Sequence, residues 1–260
     1  MDALELLRAY DQQLRTDAET SNAVTVTRLG SLHLATFAGG RGFVTYPHPD
    51  GTSAVEMPHL VSRVLEHYRS DPAITQVEWK TRGHDQVPGL HEALQQNGFH
   101  PDEPESIMVG EAQLLDVELP LPPGVTLRRV SGEADVRAMV AMQDMAFGRT
   151  NDHMAESLLK RLALADGMQL WVAEVDGQIV SAGRMEPVAS TDFAGIWGGS
   201  TREGWRRRGI YRALTAVRAR AARAMGKTLI HSDSTEYSRP ILERSGLSKV
   251  STTTPYYWHR

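Results

Sequence analysis

Apolar residues recur along this chain with two periods, and the switches between them mark out its elements. Leu4, Leu7 and Leu14 suggest an N-terminal helix. Residues 24–29 and 31–37 alternate as a strand pair turning at Gly30, and residues 43–46 read as a short third strand. Over residues 57–68, Leu60, Val61, Val64, Leu65 and Tyr68 fall on one helical face. A strand (74–80), a helix (89–97) stopped by Gly98, and a closing strand (106–115) follow.

The same order returns after Pro120, Pro122, Pro123 and Gly124, which interrupt any regular element. A strand (125–130) leads to a helix that Ser131 is placed to cap and that runs to Phe147, then to a second helix (154–165). Two strands (168–175 and 178–187) flank Asp176-Gly177, a strong hairpin signal. Next come a strand (193–201), a long helix (210–225) ended by Gly226, a strand (228–233), a short helix (240–245) and a terminal strand (249–258). Strand, strand, strand, helix, strand, helix, strand thus occurs twice. Each copy ends on a helix stopped by glycine and an apolar residue, Gly98-Phe99 and Gly246-Leu247. The reading is a weak internal repeat of class α/β (α+β), with one domain over 1–117, a linker over 118–124 and a second domain over 125–260.

Composition narrows the chemistry. The chain has 260 residues and no cysteine, which excludes disulfides, thiolate nucleophiles and cysteine-ligated zinc. His48, His59, His67, His84, His91 and His100 form no compact ligand spacing, so no metal is expected. No apolar run is long enough to span a bilayer, and the acidic start lacks a signal-peptide pattern; a cytoplasmic protein without a membrane partner is the expectation. The net charge of −4 is uneven: residues 1–124 carry 8 Lys and Arg against 18 Asp and Glu, and the remainder 20 against 14. The second half therefore offers the positive field that a polyanionic ligand favours.

That charge concentrates where the strand at 193–201 meets the helix at 210–225, around Arg206, Arg207, Arg208, Gly209, Ile210, Tyr211 and Arg212. A strand, a glycine turn and a helix start present free backbone N–H groups, and guanidinium groups match phosphate oxygens. Arg206-x-x-Gly209-x-Tyr211 resembles the pyrophosphate-binding signature of the GNAT superfamily of N-acetyltransferases, Gln/Arg-x-x-Gly-x-Gly/Ala. The run from Ser238 through Leu242 to Gly246-Leu247 resembles that family's second block, Ala-x-x-Leu-Tyr-x-x-x-Gly-Phe.

The resemblance spans the second half and implies two GNAT-like domains, each a mixed, mostly antiparallel sheet flanked by helices. The first is degenerate, with only a Pro/His/Asp loop (47–51) in place of a phosphate motif. It implies acetyl-CoA as co-substrate and a small amine or peptide amine as acceptor. Gly199, Ser200 and Thr201 would face the thioester, residues 206–212 the pyrophosphate and Ser238 the thiol end. Gly198-Gly199 permits a bulge. Tyr211 stands where the family has Gly or Ala, and either crowds the phosphates or stacks on the ligand. Two catalytic positions are also altered: Leu242 replaces the usual acid tyrosine, and Gly195 falls where relatives carry a glutamate base.

Ser234, Tyr237, Ser238 and Tyr256 remain as proton donors, and Asp152, His153, Glu186 and Asp192 as bases, with water as the alternative relay. Two other readings stand beside the transferase: a non-catalytic acyl-CoA-binding or sensing module, and a nucleic-acid binder using Arg206, Arg207, Arg208, Arg212, Arg218, Arg220 and Arg223. The acidic chain and the spread of those arginines over several helical faces argue against the last. Residues 148–153 and 188–192 would form acceptor loops.

Overall fold

The computed structural model describes residues 1–49, 51–148 and 153–260. In chain order the elements are α1 (Ala3–Gln13), β1 (Thr25–Leu29), β2 (Leu32–Phe37), β3 (Arg41–Thr45), α2 (Met57–Arg69), β4 (Gln76–Lys80), α3 (Leu90–Gln96), β5 (His100–Pro101), β6 (Glu105–Glu111) and α4 (Ala112–Leu115). They continue with β7 (Thr126–Val130), α5 (Glu133–Phe147), α6 (Met154–Ala163), β8 (Gln169–Val175), β9 (Gln178–Pro187), β10 (Phe193–Thr201), α7 (Ile210–Ala224), β11 (Leu229–Ser234), α8 (Arg239–Ser245), β12 (Ser248–Thr253) and β13 (Pro255–His259). Two sheets form, ordered β1-β2-β3-β4-β13-β5 and β12-β6-β11-β10-β9-β8-β7. Both are mixed and mostly antiparallel, and each contains a parallel pair, β3 with β4 and β10 with β11.

Local chemistry accounts for most of these boundaries. Asp2 caps α1 through a reciprocal capping box with Glu5. Asp176 and Gly177 both take positive φ (48° and 74°), as the tight turn of the β8–β9 hairpin requires. Ser131 is not the cap of α5: Gly132 takes that place, without a side-chain bond.

The chain forms two compact units, and neither is continuous in sequence. The first holds residues 2–107, 233–236 and 249–260; the second holds residue 1, 108–232 and 237–248. This differs from a division at 118–124: those residues carry no helix or strand and lie within the second unit. The two closing strands are likewise not simple ends of their own halves. Residues 106–115 split into β6 and the single helical turn α4. Residues 249–258 split into β12 and β13, which join different sheets. β13 runs between β4 and β5 in the first unit, where Tyr256 and Trp258 bury against the cluster of Val61, Leu65, Trp79 and Phe99 from α2, β4 and the end of α3. In the second unit Met108 joins Met185, Ile196, Ile230 and Leu242 in one core, and Met108 and Val109 are wholly buried. β6 is buried on both faces, so its apolar run shows that it is central but not which sheet it completes. Severing the chain at 118–124 removes a central strand from each unit, so neither half is expected to yield soluble monomer when expressed alone. Size-exclusion chromatography of the two fragments checks this.

Candidate functional site

In the second unit β10 and β11 pair in parallel only over Phe193–Gly195 and Leu229–His231. Beyond this the β9–β10 register shifts between Trp197 and Ser200, so the expected bulge falls on Gly198-Gly199. Gly198 takes φ +61°, and its carbonyl accepts a 2.6 Å hydrogen bond from Gln143 Nε2 of α5. Ser200 and Thr201 are buried at the strand end. Their backbone and hydroxyl are tied to Ser181 on β9 at 2.6 and 2.8 Å.

A short 3-10 turn (Glu203–Trp205) and the residues 206–209 then deliver the chain to α7. Arg207 and Gly209 both adopt positive φ (62° and 81°), and the first helical bond runs from Ala213 N to Gly209 O at 3.0 Å. Among the described residues no backbone carbonyl accepts from the amides of 207–212. These consecutive N–H groups open at the positive end of a 15-residue helix dipole. A Cβ on Gly209 would meet nothing nearer than the Pro120 carbonyl at 4.0 Å, so the space over the turn is open. The turn thus fits a diphosphate group: donors converge, the dipole has the right sign, and no side chain fills the approach.

The arginines around it divide by role. Arg206 spends Nε on the Thr201 carbonyl (3.0 Å) and Nη2 on the Ala146 carbonyl (3.2 Å), pinning the strand end to α5. Arg208 lies 4.8 Å over the Trp205 ring, and Arg212 reaches the Arg244 carbonyl at 3.5 Å. Arg220 and Arg223 both pair with Asp116. Arg218, grouped in sequence with the other basic residues, is 1% exposed. It donates from Nε to Leu214 O (3.0 Å), from Nη1 to Arg184 O (3.4 Å) and from Nη2 to Thr215 Oγ1 (3.3 Å). Among the described residues no carboxylate pairs with it. Burial pulls its pKa down, opposed by a hydrogen bond to the Tyr211 side chain.

Tyr211 itself neither projects over the helix start nor stands free. Its ring covers Gly199 so closely that a Cβ there would lie 2.7 Å from Cε2 and the hydroxyl oxygen. A tyrosine at this position of the motif is therefore matched by a glycine on the bulge. Sequence spacing alone did not pair them, although the unusual Gly-Gly was the available signal.

The catalytic candidates do not gather at one point. Leu242 is buried in the core with Met185 and Ile230, and Tyr211 packs against that cluster. Gly195 is covered by the Trp197 indole, whose Nε1 would sit 2.4 Å from an added Cβ. Glu186 is the direct cross-strand neighbour of Gly195. It is held by Arg184 Nε at 2.5 Å and Arg161 Nη2 at 3.4 Å. Asp192 precedes β10, seven strand residues from Gly199 and roughly 23 Å along extended chain, which takes it out of reach of the bulge. Tyr237 is 93% exposed. Ser234 donates to the Thr235 carbonyl at 3.2 Å, and Ser238 precedes α8 without a side-chain cap bond. Tyr256 belongs to β13, in the sheet of the first unit, and pairs with His91 at 2.7 Å. His153 is the exposed residue before α6. Asp152, most of the 148–153 loop and Asp50 of the 47–51 loop lie outside the described residues.

In the first unit the corresponding parallel pair is β3 with β4, and the space past its end is filled. Glu19 accepts from Thr45 Oγ1 (2.5 Å) and from Arg82 and pairs with Lys80 at 3.5 Å; Lys80 also meets Asp233 at 2.7 Å, and Arg82 donates to Thr45 at 3.0 Å. Burial alone would raise the Glu19 carboxyl, but Arg82 and Lys80 outweigh it and hold the pKa at about 2. Among the described residues no helix is long and apolar enough to cross a membrane, and no group of three or more His, Cys, Asp or Glu is placed to hold a metal.

This architecture is that of the GCN5-related N-acetyltransferases. A GCN5-related N-acetyltransferase from Kribbella flavida superposes with a TM-score of 0.69 over 98% of this chain and 95% of its own, at 17% identity. One from Sphaerobacter thermophilus does so with a TM-score of 0.62 over 88% and 76%, at 20% identity. A tandem GNAT protein from the clavulanic acid biosynthesis pathway also scores 0.62, over 90% and 81%, at 13% identity. No family model matches the sequence, and no curated protein does either.

Proposed function

We propose that the second unit moves an acetyl group from acetyl-CoA to a primary amine, carried by a small molecule or a peptide. The observation that carries this reading is the run of amides from Arg207 to Arg212 without carbonyl acceptors, opening directly beside a bulged strand in this fold. When bound, the coenzyme supplies an activated acetyl thioester. The chain's own residues do the rest. The amides of 207–212 hold the diphosphate. The bulge at Gly198-Gly199 frees backbone donors near the reacting carbonyl, where pre-organised N–H groups stabilise developing negative charge. The Tyr211 hydroxyl, oriented by Arg218 and packed over Gly199, takes the part that Leu242 cannot.

Glu186 stands opposite the vacant base position, but two arginines hold its carboxylate, so water carries the amine's proton away. A general acid contributes roughly 10²- to 10⁴-fold, so Tyr211→Phe should lower kcat by about 100-fold with coenzyme affinity unchanged. Glu186→Gln should lower it only a few-fold. The rate should rise with pH as the free amine becomes available.

A second reading, a non-catalytic acyl-CoA-binding or sensing module, is favoured by the Trp197 indole over Gly195. Because the chain has no cysteine, a thiol-reactive dye sees only released CoA, and a panel of primary amines can be screened directly. Thiol release that depends on the amine supports the transferase. Coenzyme binding without turnover on any amine supports the sensor. Absence of binding refutes both.

A further inference from the structure

A second candidate site lies in the first unit, on the sheet face turned away from α2 and α3. Cross-strand register sets its walls. One row across the sheet is Ala35, Phe43, Glu78 and Tyr257; the next is Phe37, Arg41, Gln76 and His259. Phe37, Arg41, Gly42, Phe43, Gln76, Glu78 and Tyr257 enclose an open pocket of about 200 Å³. The Phe37 and Phe43 rings meet edge to face with centroids 6.0 Å apart. The opposite sheet face, with Val44, Val77, Trp79 and Trp258, is the one that fills the core. The pocket is therefore not a core defect but a concavity of three aromatic rings around one carboxylate.

The electrostatics of that carboxylate are unbalanced. Among the described residues no Lys or Arg side chain comes within ion-pair distance of Glu78 or of nearby Glu105, while Lys80 is paired with Asp233 and Glu19. Burial raises the Glu78 carboxyl; Lys80 and Arg41 pull it back, while Asp233 and Glu19 push it up further. Burial also raises Glu105, with Asp233 and Glu78 adding to it and Lys80 opposing. Tyr257 is raised by burial and by Glu78, Asp102 and Glu105, and its hydroxyl hydrogen-bonds to Glu78. Half-buried acids without a counter-ion, set among π faces, are stabilised by an incoming cation.

We propose that this pocket binds a small organic ammonium ion, with its nitrogen against Glu78 and its apolar part between Phe37, Phe43 and Tyr257. A bare metal ion fits worse, because two of the three rings carry no oxygen and, among the described residues, no group of three or more His, Cys, Asp or Glu is placed to hold a metal. An anion fits worse still, because the exposed Arg41 is the sole cationic side chain of the lining. The site is independent of acetyl transfer by the second unit.

Benzylammonium and its neutral counterpart benzyl alcohol test the proposal by calorimetry on the full chain, without coenzyme. Saturable binding of benzylammonium is expected, at least about tenfold tighter than benzyl alcohol, the size of one charge-assisted contact. This comparison needs no variant to fold. Glu78→Gln should weaken benzylammonium at least about tenfold, and Arg41→Ala, which removes a repelling charge, should leave it unchanged or tighten it. Equal affinity for the two probes, no saturable binding, an unaffected Glu78→Gln protein or a weakened Arg41→Ala protein would each overturn the assignment.

Discussion

Glu19→Ala is expected to destabilise the first unit by about 3–5 kcal/mol, the cost of leaving buried charges without their counter-charge. Arg82 is fully buried at its side chain, so its guanidinium cannot turn to water once Glu19 is gone. Lys80 would keep Asp233, but Thr45 would lose its acceptor. Hydrogen exchange over residues 76–82 during urea titration isolates this unit from the other. Protection in that segment should fall well before the mutation touches α7.

The same carboxylate gives a pH signature with a fixed sign. The folded pKa of Glu19 is about 2, below the ordinary glutamate value of 4.5, so its contribution is present above about 4.5 and is lost as pH falls toward 2. The shift corresponds to a few kcal/mol at most, on the order of 3. Glu78 and Glu105 act in the opposite direction. Their folded values are raised, so the cost of burying their charge is present above those values and is relieved on acidification. Stability of the first unit should therefore improve slightly as pH drops from neutral and then collapse below about 4. A steady loss from pH 7 downward would show that Glu19 does not dominate.

Gly209→Asp should weaken coenzyme binding by at least about 100-fold, or about 2.7 kcal/mol. Two effects add. The residue sits at φ +81°, where any L side chain is strained. The new carboxylate would also project into the open space that the diphosphate would fill, among amides with no other acceptor. Gly209→Ala separates the two, because a methyl group meets nothing within contact distance. It should cost only about five- to tenfold, the strain alone. Unchanged CoA affinity in the aspartate protein, read by calorimetry, would remove the phosphate role from this turn.

Much of the fold was legible in the sequence because local rules set it. Asp176-Gly177 fixed a hairpin, Gly198-Gly199 a bulge, and Gly209 the start of α7. What escaped was long-range. The sequence pattern reads strands over 106–115 and 249–258, but nothing local says where each splits or that its neighbours lie at the other end of the chain. In the sequence Arg218 stands among several arginines between 206 and 223 that spread over more than one helical face. It falls in phase with Ile210, Leu214 and Ala222, a position on the apolar stripe of α7, yet the matching gap at Gly183 lies on another strand. Gly183 is the clue in hindsight: a Cβ there would lie 2.5 Å from the guanidinium. At the candidate site the resemblance places a glutamate at the position of Gly195 and a tyrosine at that of Leu242. Glu186 was one base candidate among four and Tyr211 a departure from the motif; register places the first opposite Gly195, and packing places the second over Gly199.

The placement of β13 also governs when this protein can fold. Residue 76 pairs with residue 41 on one side and with residue 259 on the other, so the sheet of the first unit cannot close until the segment that holds β13 has left the ribosome. The N-terminal half must wait through synthesis of everything between, with the edge of β4 unpaired. Pairings of such sequence separation are slow to form and expose strand edges meanwhile. The first unit therefore closes only after most of the second has been made, although it begins earlier in the chain.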